Sequence, residues 1–258
     1  MSKGTEAIVE WLRQRLARSG ARGFVFGLSG GIDSAVVARL CQAAAPANVV
    51  GMIMPCHSDP QDEADARLVA DHFRIPAIRV DLTPTYDLFT ATVREALTAL
   101  PAAQVPDAAH ASQDLKAKVP LANVKPRLRM TTLYFVANTL NYMVAGTGNR
   151  SELAIGYFTK FGDGGVDVLP IGDLLKSEVR TAAKDLGVPE AVIDKAPSAG
   201  LWRGQTDETE MGFSYAELEK YLKTGAETVS PAMAMRIERL MRASEHKREL
   251  APTPGASQ

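Results

Sequence analysis

The chain has 258 residues, of which 46% are hydrophobic and 23% charged; 29 Lys and Arg stand against 30 Asp and Glu, a formal net charge of -1. That balance excludes a polyelectrolyte that tracks nucleic acid, and ordinary Gly and Pro usage (20 and 15) excludes collagen-like sequence and wholesale disorder. At roughly 150 residues per domain the length allows one or two, and an α/β chain of this size builds one large core. The expectation is a single domain over residues 1–249 and a disordered tail over 250–258.

Cys41 and Cys56 form no C-x-x-C pair, and the four His residues lack metal-ligand spacing, so neither a disulfide framework nor a structural zinc site is expected. Both cysteines read as small core residues in a reducing compartment. The N-terminal stretch is charged throughout and has no apolar core of a secretory signal. Two uncharged runs fail as membrane spans: 40–58 is broken by Pro46, Asn48 and Pro55, and 130–149 carries Thr131, Thr132, Asn138, Thr139 and Asn141. A cytoplasmic protein without a membrane partner is expected.

In chain order, Ile8, Val9, Leu12 and Leu16 share one face of a first helix, and residues 23–27 (Gly-Phe-Val-Phe-Gly) make a short buried strand. A glycine-rich turn, 28–34, leads into a helix whose apolar face carries Val36, Val37, Leu40 and Cys41. A second strand over 49–54, an acid-capped helix over about 61–73 and a third strand over 77–80 follow. Helical patterns cover about 84–100 and 130–140, and a fourth strand covers 142–145. The segment 102–119, rich in Ala, Asp, Gln and Pro, reads as a loop plus a helix start, with no legible function. Apolar strands alternating with helices predict an α/β protein, a doubly wound parallel sheet with helices on both faces, which binds ligands beyond the carboxyl ends of its strands.

The turn Ser29-Gly-Gly-Ile-Asp-Ser34 lies at such an end. Its glycines let backbone approach phosphate closely, and the first N–H groups of the next helix point at the anion. Unlike a Walker loop it has no lysine, and it places a carboxylate, Asp33, among the phosphate donors. A Mg²⁺ ion shared between Asp33 and the phosphates relieves that repulsion; the plainer reading is an ordinary glycine turn in which Asp33 caps the helix.

The loop resembles that of the ATP pyrophosphatases, Rossmann-like enzymes that cleave ATP between its α and β phosphates and transfer AMP. Further motifs narrow the resemblance: Gly146-Thr-Gly-Asn-Arg-Ser-Glu152, the run from Gly156 through Lys160 and Gly162-Asp-Gly-Gly165 to Asp167, and Leu169-Pro-Ile-Gly-Asp-Leu-Leu-Lys176. Ala196-Pro-Ser-Ala-Gly-Leu201, Gln205-Thr-Asp-Glu208 and His246-Lys247 complete the series. In order and spacing these resemble the ammonia-dependent NAD synthetases, from about Phe24 to Arg248.

The resemblance implies that Gly27, Leu28, Ser29, Gly30, Gly31, Ile32, Asp33 and Ser34, with Thr147, Lys176 and Ser198, bind ATP. It places Asp33 and Glu152 on Mg²⁺, and Arg127, Lys160, Asp167, His246 and Lys247 on deamido-NAD. Ser198 stands where many relatives have Thr, and Gly148-Asn-Arg-Ser151 departs from the Asp-His-Ala-Ala of many bacterial members toward an archaeal-type branch. Taken singly, Lys160 and Lys176 read as surface lysines, His246-Lys247 as a solvated helix end, and 207–210 (Asp-Glu-Thr-Glu) as an acidic helix start, not a catalytic cluster.

The implied reaction is ligation of a C–N bond: the deamido-NAD carboxylate attacks the α-phosphorus of ATP, pyrophosphate leaves, and ammonia displaces AMP to give NAD. Asp33, Glu152 and Lys176 would act on the charge of the departing pyrophosphate, and Asp163 is expected to receive the ammonium proton. A homodimer is implied, with free ammonia as nitrogen donor and a separate glutaminase as the other possible source. Two alternatives stand beside this reading: another amidating or thiolating enzyme of the same loop class, and a nucleotide-binding module without catalysis. Finally, residues 197–212 contain Gly200, Gly204 and Gly212 and few consecutive apolar residues, a composition expected of a lid.

Overall fold

A computed structural model describes residues 1–101, 115–197 and 207–254. Ser198, most of the expected lid, most of 102–119 and the last four residues of the tail lie outside them. In order, the elements are α1 (Lys3–Ser19), β1 (Gly23–Gly27), α2 (Ile32–Ala44), β2 (Val49–Ile53), α3 (Pro60–Phe73) and β3 (Ala77–Arg79). There follow α4 (Thr83–Leu97), α5 (Leu115–Leu140), β4 (Tyr142–Val144), α6 (Arg150–Ile155), α7 (Lys176–Leu186) and α8 (Glu190–Ile193). The chain continues with α9 (Asp207–Met211), α10 (Tyr215–Thr224), α11 (Pro231–Ala243) and a closing turn of 3₁₀ helix, Glu245–Lys247.

The four strands run parallel in the order β3-β2-β1-β4. Alternation along β1 divides the core. Phe24 and Phe26 face Val9 and Leu12 of α1, the apolar side of α2, Ala66 and Val69 of α3, and Val179 and Ala183 of α7. Val25 points the other way, with Met52 and Val144, onto Ala137, Leu133 and Tyr134 of α5. A period of two in a strand makes both faces apolar where helices cover both. A third cluster, built on Ile155, Met211, Phe213, Tyr215, Leu218 and Ile237, packs the C-terminal helices against α6.

The winding reverses once. From β1 to β3 the chain steps outward with its helices on one face; it then returns by α4 and α5 on the other face to place β4 on the free side of β1. The crevice of such a sheet opens where the order reverses, here between the carboxyl ends of β1 and β4.

α5 is much longer than the predicted 130–140, because it runs through Pro120 and Pro126. A proline inside a helix removes a hydrogen bond and argues for a break. Tertiary bonds hold this one: Arg129 Nε donates to Met54 O (3.1 Å), Thr159 Oγ1 to Asn123 Oδ1 (2.8 Å) and Arg127 to Lys160 O (3.3 Å). Among the described residues no helix is long and apolar enough to cross a membrane, and Cys41 and Cys56 are free, buried thiols.

Candidate active site

The phosphate-loop candidate leaves β1 at Leu28, whose N–H donates to Met52 O (2.8 Å). Gly30 sits at φ +77°, and a Cβ there would stand 2.5 Å from Asp62 O of α3, so the turn requires glycine for both its angle and its contact. Ser34, in the first turn of α2, closes the loop: its hydroxyl donates to Gly31 O (2.9 Å) and accepts from Ser29 N (3.3 Å). Asp33 lies in the same turn, at the positive end of α2.

The second wall is the loop after β4. Gly146 N donates to Val168 O (2.8 Å), and Thr147, half-buried, lies between it and Gly148. Asn149 and Glu152 then form a reciprocal cap on α6: Glu152 N donates to Asn149 Oδ1 (3.1 Å) and Asn149 N to Glu152 Oε2 (3.2 Å). Asn149 Nδ2 also reaches across the crevice to Asp33 Oδ1 (3.0 Å), tying the two loops together.

Lys176 begins α7, its N–H on Ser151 Oγ (3.2 Å). Its side chain is 4% exposed, and its ammonium lies 2.5 Å from Asp33 Oδ2 and 3.4 Å from Glu152 Oε1. A cation is disfavoured at a helix N-terminus; here the two carboxylates offset that cost. Burial opposes the charge on Lys176, yet Asp33 and then Glu152 outweigh it and raise its pKa. Glu152 is pushed up to about 8 by burial first and by Asp33 second, with Lys176 acting against both.

Tyr215 supports this cluster from α10. Its hydroxyl bonds Glu152 Oε1 (3.3 Å) and Asp207 Oδ2 (2.8 Å), and the Lys176 ammonium lies 5.1 Å from its ring centroid. Burial, then Glu152 and Asp207, raise the Tyr215 pKa, so the phenol is a donor. Asn149, Tyr215 and Asp207 escape the sequence reading. Asn149 had a legible signal, the Asn-x-x-Glu of a capping box, whereas Asp207 looks like any acid at a helix start.

The residues assigned to the dinucleotide gather beyond α6. Lys247 Nζ donates to Gly156 O and Phe158 O (2.7 Å each), Lys160 Nζ donates to His246 O, and Arg127 donates to Lys160 O. Asp163 retains contact with solvent and accepts from Thr159 N (2.9 Å); the protein packed around its carboxyl raises its pKa, against the pull of that bond and of Lys247 and Arg129. Asp167 stands apart, in the loop beside β4, accepting from Tyr134 OH (2.9 Å) and Val144 N (2.8 Å).

Two carboxylates that share one cation suit Mg²⁺, which takes one or two protein carboxylates and completes its shell with phosphates and water. The ammonium of Lys176 is a stand-in that tests the fit, since it touches an oxygen of each carboxylate at once. Among the described residues no group of three or more His, Cys, Asp or Glu is arranged to hold a metal.

The glycine-rich loop, the carboxylate on the facing loop and the buried lysine between them lie within a match that spans almost the whole chain: the model for NAD synthase fits residues 5–251. The chain belongs to the NAD synthase family. It is 50% identical to the NH(3)-dependent NAD(+) synthetase of Carboxydothermus hydrogenoformans over 97% of this chain and 96% of that one. The protein of the same name from the archaeon Archaeoglobus fulgidus is 43% identical, over 97% and 95%. Among solved structures, NMN synthetase from Francisella tularensis superposes with a TM-score of 0.87 at 38% identity, covering 99% of each chain. An NH3-dependent NAD synthetase from Campylobacter jejuni superposes with 0.75 at 28%, covering 98% and 99%.

Proposed function

We propose that this NAD synthase family member joins ammonia to the carboxylate of deamido-NAD in an ATP-dependent ligation, releasing AMP and pyrophosphate through an adenylated intermediate. The observation that carries the reading is the convergence of Asp33, Glu152 and Lys176 at the point where the sheet reverses, between a phosphate loop and the loop after β4. A nucleotide-binding module without catalysis has no use for a buried lysine between two acids. A carboxylate is a poor acylating agent, and adenylation supplies the leaving group.

In this reading residues 27–34, Thr147, Lys176 and Ser198 bind ATP. Asp33 and Glu152 would hold Mg²⁺, which when bound neutralises charge on the phosphates. Lys176 and the loop N–H groups stabilise the negative charge that grows as pyrophosphate departs. Arg127, Lys160, Asp167, His246 and Lys247 position deamido-NAD, and the way Arg127, His246 and Lys247 gather on the 156–165 turn that carries Lys160 supports a common ligand there. Asp163, in that turn, takes the proton that ammonium loses before it attacks.

Purified protein given deamido-NAD, ATP and Mg²⁺ is expected to release pyrophosphate and form NAD only when ammonium is added. Glutamine serving as well as ammonium would refute ammonia as the donor; a separate glutaminase that feeds the enzyme would not. A second reading comes from the Francisella structure, whose name gives NMN as product. On that reading the preferred acid is nicotinic acid mononucleotide, and kcat/KM measured for both acids decides between them.

The enzyme works in the cytoplasm as a homodimer joined through α4 and α5. Leu88 and Phe89 of α4 are 71% and 48% exposed and Phe135 of α5 is 73% exposed, large apolar side chains that a monomer leaves in water. Light scattering should give the mass of two chains for the native protein and of one for Leu88→Asp.

A further inference from the structure

The four oxygens of the acidic pair are all occupied by donors, and the donors are unequal. Asp33 Oδ1 accepts from the Asn149 amide and Glu152 Oε2 from the Asn149 backbone N–H, both held rigidly by the cap of α6. Asp33 Oδ2 and Glu152 Oε1 are the two that Lys176 touches. Among the described residues its ammonium is the one donor to the pair that is both cationic and carried on a long, flexible stem. Among the described residues its ion pairs are with these two carboxylates alone, with the face of Tyr215 beside it and Asp207 acting from further off. A divalent cation entering between Asp33 and Glu152 meets a positive charge already in place, within a few ångströms and out of bulk water, where repulsion is weakly screened.

We propose that Lys176 is the resident counter-cation of the acidic pair. Without nucleotide it occupies the oxygens a divalent cation needs, and the cation takes them only when phosphates offer the ammonium another anionic partner. Metal and nucleotide then enter together, and the pair does not fill with metal alone. The device rests on the reading of Asp33 and Glu152 as metal ligands. It also accounts for a lysine at the first position of α7, where the helix dipole favours an acid.

The test uses the full-length protein free of nucleotide and Mn²⁺ as the probe, with free Mn²⁺ read by electron paramagnetic resonance. Wild type and Lys176→Arg, which keeps the charge, should show weak binding. Lys176→Met should gain one site with at least about tenfold higher affinity, equivalent to about 1.4 kcal/mol, and adding Asp33→Asn to that variant should abolish the gain. If circular dichroism shows Lys176→Met unfolded, Lys176→Gln, whose amide can still donate to one carboxylate, takes its place. Equal affinities in wild type and the neutral variant, both sensitive to Asp33→Asn, would overturn the counter-cation and leave the metal site standing. Binding that ignores Asp33→Asn, or no binding even with a non-hydrolysable ATP analogue present, would overturn the metal site and the proposal with it.

Discussion

Replacing Glu152 by Gln should destroy activity while making the protein gain stability on wild type as pH rises. Glu152 shares one ammonium with Asp33, so the cluster carries two acids for one base, and its pKa rises from the usual 4.5 to about 8. The sign follows from proton counts. Below about 4.5 the folded and unfolded chains both carry the proton and nothing is lost; between 4.5 and 8 the folded state alone retains it, so stability falls as pH rises through that window. At roughly 1.4 kcal/mol per pKa unit the full difference amounts to a few kcal/mol. Residual water at a side chain 16% exposed, and relaxation of Lys176 toward Asp33, reduce it, so about 1–3 kcal/mol is expected. Glutamine keeps the acceptor for Tyr215 and removes the charge, leaving Lys176 paired with Asp33 alone; its amide nitrogen then faces the Asn149 N–H, a cost of the lost cap that does not vary with pH and so leaves the trend between the two proteins intact. Urea denaturation of both proteins at pH 5, 6.5 and 8, without metal or nucleotide, should show Glu152→Gln gaining on wild type at each step. A difference that stays constant with pH, or a wild type that gains on the variant toward pH 8, would refute the reasoning.

Three other outcomes are expected. Asp33→Asn should lower the rate of NAD formation by at least about a hundredfold at saturating Mg²⁺, the usual loss when a group that stabilises transition-state charge is removed; near-normal turnover would take Asp33 out of the site. Lys160→Ala should raise KM for deamido-NAD well above any change in KM for ATP, since its ammonium sits in the 156–165 turn at His246 O and not in the crevice beside Asp33. Gly30→Ala forces a side chain into a left-handed angle and onto Asp62 O, so it should cost about 1–3 kcal/mol in denaturant melts and weaken ATP binding; unchanged stability would mean that the loop is free to shift away from α3.

The strands and the first helices were legible because their signals are local. Phe24, Val25 and Phe26 between two glycines, and the spacing of Ile8, Val9, Leu12 and Leu16, specify element and length without reference to the rest of the chain. Asp33 and Glu152 were legible as well, since each opens a helix just after a strand, and topology carries such positions to one edge of the sheet. The start of α5 was not. Pro120 and Pro126 are local arguments against a helix, and what outweighs them, the bonds of Arg129 to Met54 O and of Asn123 to Thr159, joins residues far apart in sequence. The same holds for the chemistry of the pair. Sequence alone determined that two acids and a glycine-rich turn share an edge; only the tertiary structure decided that Lys176 lies between the acids, that Asn149 links the two loops, and that Tyr215 and Asp207 close the cluster from behind. A lysine at the start of one helix and a tyrosine at the start of another carry no mark of their partners. Burial charge by charge, which turns an ordinary ion pair into a site, exists only once the chain has brought them together.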